Sequence, residues 1–313
     1  MKSVLPEALE GTLFDWLGDR YPGKVRDSYV HGSRRVLVAT DRLSAFDRII
    51  TTVPYKGQVL TQLATFWFER CSSIVRHHVV AVPDPCVMIG EEVSIVPIEV
   101  VVRGYLAGSA WRDYVQGRPI SGVALPNGLR EFEALPHPII TPSTKEASGK
   151  HDEPISEADI VKRGIVSAQL WEEIRETALE LFAFASAELR DRGLLFVDTK
   201  YEFGVLDGKL ILADEIHTID SSRFWVADTY DASLRVGAAP EMLDKEPIRR
   251  WLMDQGFRGD GVLPVVPDDY RLQLAQHYAK SFKRITGKDF VPDSSPPRER
   301  IERNLRRYFG FPV

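Results

Sequence analysis

Cysteine is almost absent. Cys71 and Cys86 are the only two in 313 residues, too few for a disulfide framework and unable alone to complete a four-ligand zinc site. Long apolar runs are missing as well. The longest stretch without a charged residue, Gly57 to Phe68, falls short of the ~20 residues that span a bilayer, and Glu7 and Glu10 break any apolar signal segment. A cytoplasmic protein with no membrane partner is expected. Nor is there an excess of positive charge. Forty Lys and Arg against 45 Asp and Glu leave a net −5, without the cationic footprint of nucleic-acid binders, so any phosphate site must be local. Internal repeats, low-complexity tracts and heptads are lacking, which removes solenoids and interaction tails. Neither H-E-x-x-H nor G-x-S-x-G occurs, so zinc protease and serine hydrolase chemistry have no support.

What remains is a chain of ordinary globular composition, 44% hydrophobic and 27% charged. Its length suits about two packed units at ~100 to 200 residues each. Segments rich in Val and Ile at Arg35 to Thr40, Ser73 to Val82 and Val93 to Arg103 read as buried strands. A helical stripe, Leu63, Ala64, Trp67, Phe68 and Cys71, lies between the first two. From Gly117 to Gly149 neither period holds and prolines are frequent, which predicts a long surface connection. Ser156 and Asp159 form a capping pair, and Leu170, Ile174, Ala178, Leu181, Phe182, Ala185 and Leu189 continue a strong helical stripe up to Gly193. Two strand segments follow, Leu194 to Thr199 and Tyr201 to Leu206, then Lys209 to Asp214 beyond an Asp207-Gly208 turn signal. Two helices, near Ile248 to Gln255 and Asp269 to Thr286, come later. The fold class expected is α+β, with a sheet-rich lobe over 1–100 and a mixed lobe over 101–313.

Four segments carry chemistry. Gly23-Lys24-Val25-Arg26 sets two cations beside a glycine ahead of a strand, a set suited to phosphate oxygens and equally to a solvated turn. Arg103 ends an apolar strand before Gly104, Gly108 and Ser109. Its guanidinium can clamp a carboxylate or phosphate, with Gly108 letting backbone approach a ligand, or it can pair with a nearby acid. Lys200, Glu202, Asp214 and Glu215 cluster on a hairpin whose carboxylates suit Mg²⁺ held with nucleotide phosphates, or a charged solvent face. The register of that hairpin is open: a two-residue turn places Glu202 opposite Ala213 and points Asp214 away, whereas a three-residue loop pairs Glu202 with Asp214. Asp220-Ser221-Ser222-Arg223 adds hydroxyls beside a guanidinium.

In order along the chain, GKVRDSY from Gly23, TDRLSAFD from Thr40, KGQVLTQLATFWF from Lys56, VVRGYLAGSAWRDY from Val101, TKEASGKHDEPIS from Thr144, DTKYEFG from Asp198 and DEIHTIDSSRFW from Asp214 resemble the blocks of the SAICAR synthetase family of purine biosynthesis. Tyr55 and Ile219 depart from its pattern, where glycine and proline are usual. The resemblance implies an antiparallel-sheet first lobe and a mixed second lobe with ATP in the cleft between them. It also implies a ligase that joins carboxyaminoimidazole ribonucleotide (CAIR) to L-aspartate, with ATP as co-substrate and Mg²⁺. Carried over by position, Gly23, Lys24, Val25 and Arg26 meet the ATP phosphates, and the strand from Glu99 to Val101 borders the adenine. Glu202 and Asp214 hold the metal. Arg103, Ser109, Asp220, Ser221, Ser222 and Arg223 grip the ribonucleotide, while Asp152 and Lys200, with Arg103, serve the reacting groups. A small-molecule kinase and a nucleotide-binding regulatory protein are the alternatives.

Overall fold

The computed structural model describes residues 5–145 and 153–312. Its first strands are β1 (Asp19–Pro22), β2 (Arg26–His31), β3 (Arg34–Ala39), β4 (Arg42–Ala45) and β5 (Arg48–Thr52), followed by α1 (Lys56–Cys71). Next come β6 (Val79–Asp84), β7 (Val87–Glu91), β8 (Ser94–Tyr105), α2 (Gly108–Val115), β9 (Ala134–Ile140) and β10 (Ser143–Thr144). Then follow α3 (Glu157–Lys162), α4 (Ala168–Arg190), β11 (Leu194–Leu206), β12 (Lys209–Ala213) and β13 (Ser222–Val226). Four helices complete the order: α5 (Ala227–Arg235), α6 (Glu246–Asp254), α7 (Asp268–Thr286) and α8 (Pro297–Phe309). The α+β class is as expected, and among the described residues no helix is long and apolar enough to cross a membrane.

Two compact units share these elements. The first takes 1–66, 78–92 and 244–313, and the second 67–77 and 93–243. A single cut after residue 100 would split β8, whose first seven residues belong with the second unit, and would separate the C-terminal helices from the first. The physical reason is pairing: β8 is laddered to β11 along most of its length, and α8 packs on the sheet of the first unit.

In the first unit five antiparallel strands run in the order β1-β2-β3-β7-β6, with β4 and β5 as a separate hairpin. Alternation buries Tyr29, Val36 and Val38 on one face, where Ile301 and Leu305 of α8 cover them. A buried ion pair fixes that helix: Arg300 Nε lies 2.9 Å from Asp84 Oδ2, and Asn304 donates to the same oxygen at 2.8 Å. Asp41 fixes the start of α1. Its two carboxylate oxygens accept from the amides of Gly57 and Leu9, each at 2.8 Å, and Gly57 is obligatory because a Cβ there would sit 2.4 Å from the Ala39 carbonyl oxygen.

The second unit is one six-stranded sheet, β10-β8-β11-β12, with β13 also on β11 and β9 also on β8. Helix α4 starts at Ser167, whose hydroxyl accepts from the Leu170 amide, and buries the predicted stripe from Ile174 to Leu189 together with Trp171, leaving Leu170 half-buried. The two strand segments after Gly193 are one strand, β11, bulged between Phe196 and Asp198 in its pairing with β13. The stretch expected to be loop from Gly117 contains β9 and β10, both paired to β8. Only Val79 to Val82 of the segment that starts at Ser73 is strand, because α1 runs on to Cys71 and a turn follows it.

Removing Asp84 leaves the Arg300 guanidinium buried without its carboxylate, and loss of one partner of a buried pair typically costs ~3 to 5 kcal/mol. Asp84→Ala is expected to lower unfolding free energy by that amount in urea titrations. Asp41 gives a pH dependence of the opposite sense to an ordinary salt-bridged carboxylate. Burial raises its pKa to about 6, against the lowering effect of the Gly57 and Leu9 amides. The folded state thus holds the proton more tightly than the unfolded chain, and stability falls as pH rises from about 4 to about 6. The difference in unfolding free energy between the native protein and Asp41→Asn should shrink across that window, by up to ~3 kcal/mol, and be flat above it.

Candidate active site

The second unit concentrates charge on one face of its sheet through strand alternation. On β8 the side chains of Val96, Ile98, Val100 and Val102 are buried, so Glu99, Val101 and Arg103 take the other face. On β11, Asp198 lies opposite Arg103, Lys200 opposite Val101, and Glu202 opposite Glu99. Arg223 of β13 lies opposite Asp198 on its other side. Three strands thus present two arginines, one lysine and three carboxylates together.

Asp198 organises one end of this face. Its Oδ2 accepts from Arg103 Nη1 at 3.0 Å and from Arg223 Nη1 at 2.5 Å. Arg103 is further held by Thr141 Oγ1 at 2.9 Å and Ser109 Oγ at 3.3 Å. Burial pulls the Arg103 pKa down and Asp198 opposes it; a guanidinium remains charged regardless. Gly108 begins α2 with φ +61, and a Cβ there would lie 2.4 Å from Arg223 Nη2. The close approach predicted for Gly108 is therefore made by the protein's own guanidinium.

At the other end Lys200 Nζ contacts Glu99 Oε1 at 2.5 Å and Glu202 Oε1 at 3.3 Å, and Lys145 reaches the second oxygen of Glu202. Burial opposes the Lys200 charge, but Glu202, Glu99 and Asp214 together outweigh it and raise the pKa above the ordinary lysine value. The hairpin turn is the two-residue form: Leu206 pairs with Lys209 and Glu202 with Ala213, and Asp207 and Gly208 are both left-handed. Strict alternation from that register would point Asp214 away. Instead Asp214 takes φ +62, leaves the ladder and turns close enough to Lys200 to act on its pKa.

Behind the sheet Tyr201 and His217 are fully buried, with the hydroxyl 2.7 Å from His217 Nε2. Burial depresses the His217 pKa to about 3, so the ring is neutral. Its φ of +51 folds back the loop that carries Asp214 and Glu215. Thr218 completes that loop: its hydroxyl donates to Glu215 Oε2 at 3.1 Å and accepts from the Asp220 and Ser221 amides, each at 3.2 Å.

Several expected roles change with these positions. Ser222 pairs with Thr199, and their hydroxyls meet at 2.7 Å on the buried side, so the pleat separates Ser222 from Arg223. Glu99 and Val101 lie on a strand paired on both edges: β11 flanks both residues, β10 pairs with Glu99, and the Val101 carbonyl accepts from the Thr141 amide. Only their side chains are left to meet a nucleotide. Asp152 lies outside the described residues. Asp198, Thr141 and Lys145 were not singled out from the sequence, although 198, 200 and 202 follow the period of two that marks one strand face.

The first unit holds the other candidate segment. Gly23 to Arg26 form the β1–β2 turn, closed by the Gly23 amide on the Arg26 carbonyl at 2.8 Å. Lys24 Nζ pairs with Asp47 Oδ1 at 2.7 Å, both side chains more than half exposed. Asp47 and Phe46 are left-handed at the β4–β5 turn.

Comparison with known proteins gives the chain its family. Residues 19–266 match the model of the family described as SAICAR synthetase. A protein of Agrobacterium fabrum called putative phosphoribosylaminoimidazole-succinocarboxamide synthase 2 is 44% identical over 317 aligned positions, covering 98% of each chain. The chain belongs to the SAICAR synthetase family. Another relative, the phosphoribosylaminoimidazole-succinocarboxamide synthase of Legionella pneumophila strain Paris, is 45% identical and covers 94% of this chain and 96% of its own. Among solved structures, the SAICAR synthase of Saccharomyces cerevisiae complexed with SAICAR superposes with a TM-score of 0.81 at 32% identity, covering 91% of this chain and all of that one. A type-2 SAICAR synthetase in complex with ADP superposes at 0.67 with 26% identity, covering 88% of this chain and all of that one.

Asp198→Asn should leave two guanidiniums facing each other without their shared carboxylate, a change expected to cost ~3 kcal/mol. Sulfate at tens of millimolar should restore more stability to the variant than to the native protein in urea titrations, because an anion can take the place of the lost charge.

Proposed function

We infer that this SAICAR synthetase family member is an ATP-dependent ligase that joins the CAIR carboxylate to the amine of L-aspartate, giving SAICAR, ADP and phosphate. The observation that carries this reading is a family match along most of the chain, coupled to a sheet face where cations and hard oxygen donors alternate. A carboxylate at neutral pH is a poor electrophile. The γ-phosphoryl group of ATP passes to a CAIR carboxylate oxygen, ADP leaves, and the acyl phosphate is then attacked by the aspartate amine with loss of a proton and of phosphate. Such phosphoryl transfer depends on positioning and charge neutralisation, which accounts for a site built of arginines, lysines and carboxylates.

We assign the residues accordingly. Arg103 and Arg223, oriented by Asp198, present their guanidiniums to the phosphate or carboxylate of CAIR, with Ser109 beside them and Ser221 and Asp220 on the adjoining loop. Lys200 keeps its proton and steadies negative charge at the reacting carboxyl group. Asp152 stays assigned to the imidazole by position in its block. Lys24 and Arg26, with the Gly23 and Val25 backbone, serve the ATP phosphates, while the Glu99 and Val101 side chains border the nucleotide.

Glu202 and Asp214 fit Mg²⁺. Both are hard oxygen donors on one cluster. Mg²⁺ takes one or two protein carboxylates and completes its shell with phosphates and water, so two such donors suffice. Mg²⁺ bound there supplies charge neutralisation to the phosphates as the phosphoryl group moves. We place the reaction in the cytoplasm, where the two buried, unbridged cysteines suit a reducing medium.

ADP release from the full chain with Mg-ATP and CAIR, measured with and without L-aspartate, tests the reading. Aspartate-dependent ADP matched by succinocarboxamide is the expected outcome. ADP formed equally without aspartate would indicate a kinase or ATPase, and none in either case a binding protein. Glu202→Gln and Asp214→Asn should each lower turnover by at least ~10²-fold, the size seen when a transition-state charge stabiliser is lost. Near-native rates in both would remove the metal assignment.

A further inference from the structure

Arg42 is 9% exposed and has no part in the roles assigned so far, yet its guanidinium is bound to the back of the β1–β2 turn. Its Nη2 donates to the Gly23 carbonyl and its Nε to the Lys24 carbonyl, each at 3.0 Å. The next carbonyl, Val25, accepts from Thr40 Oγ1 at 2.7 Å and from the Thr40 amide at 3.0 Å. Three consecutive carbonyls are therefore drawn to one side by two residues of the same block.

Peptide planarity converts this into a statement about donors. In a trans peptide the carbonyl of one residue and the amide of the next point in opposite directions. With the carbonyls of Gly23 and Lys24 turned to Arg42, the amides of Lys24 and Val25 are turned away from it. Neither amide has an acceptor among the described residues. Successive N–H groups presented in this way form an anion-binding concavity, and here the concavity carries the Lys24 side chain.

Arg42 is itself held rigidly. Its Nη2 also meets Asp27 Oδ1 at 3.0 Å, and its Nη1 donates to the Glu10 carbonyl. Asp27 is fully buried and fixed in turn by the Thr12 amide at 2.7 Å and hydroxyl at 3.1 Å. Gly11 leaves room for this packing, since a Cβ there would come within 3.1 Å of Arg42 Nη1.

We propose that Arg42 is a positioning residue for ATP: by holding the Gly23 and Lys24 carbonyls inward it aims the Lys24 and Val25 amides at the phosphate chain. The proposal rests on the reading of this turn as the phosphate site. Lysine at position 42 keeps the charge beside Asp27 but lacks the planar fork that reaches two carbonyls at once.

Calorimetric binding of ATP and AMP to the full chain, with Mg²⁺ throughout, separates positioning from plain stabilisation. Arg42→Lys should weaken ATP binding by ~10-fold, about one charge-assisted hydrogen bond, and AMP binding by much less, so that the preference for ATP over AMP falls. Thr40→Val, a milder change, should shift the ratio in the same direction and is the deciding variant if circular dichroism shows Arg42→Lys unfolded. A folded Arg42→Lys protein with the native ratio overturns the proposal, as does a native ratio in Thr40→Val when the lysine variant does not fold. Lys24→Ala serves as the independent control. If it leaves the ratio of the folded protein unchanged, the phosphate-site reading fails and the proposal with it; if it collapses the ratio while the position 42 and 40 variants do not, only the proposal fails.

Discussion

The antiparallel ladder between β8 and β11 is the constraint on which the second unit depends. Its register matches Arg103 with Asp198 and Glu99 with Glu202, so each charge meets its opposite or its bridging lysine without a loop having to be ordered for the purpose. Sites built on strands are held more closely than sites built on loops, and the buried valines and isoleucines on the reverse of β8 pack the same ladder from behind. A slip of one residue would carry every charged side chain into the core and every valine out of it. The hydrophobic pattern that makes the sheet therefore also enforces the placement of the charges.

The loop after β12 shows a second way of holding polar groups. Asp214 and His217 are both left-handed residues without the freedom of glycine, a conformation that surrounding structure has to enforce. Here it is enforced by the Tyr201 hydroxyl, by Trp67 and Phe196 packed edge-on to the imidazole, and by the Thr218 hydroxyl inside the loop. The carboxylate side of the sheet and its hydrophobic back are thus one structure, joined through the residue between Lys200 and Glu202.

Much of this was legible from the residues alone, and the failures share a cause. The α4 stripe could be read because a single period persists over six turns. Strand β9 could not, since Pro136 and Pro138 read as loop, although prolines are tolerated where a strand has a free edge. Helix α8 was hidden because Arg300 occupies a core position that a hydrophobic period would require to be apolar. At the site, the seven blocks identified nearly every charged position by order along the chain. Sequence order alone sets Ser222 beside Arg223, whereas the pleat of β13 divides them. The tie from Asp198 to Arg103 spans 95 positions, and no local pattern announces a partner at that distance.

The pairing of Arg300 with Asp84 closes a separation of 216 residues, and this bears on how the molecule is made. At ~5 to 20 residues per second of synthesis, the strand bearing Asp84 waits roughly 10 to 40 seconds before α8 leaves the ribosome. Residues 93–243 are complete well before then and hold their sheet partners among themselves. The core that Tyr29, Val36 and Val38 share with Ile301 and Leu305, by contrast, stays incomplete throughout that interval. The second unit therefore has its strands complete during translation, whereas the first waits for the last helix to close its core.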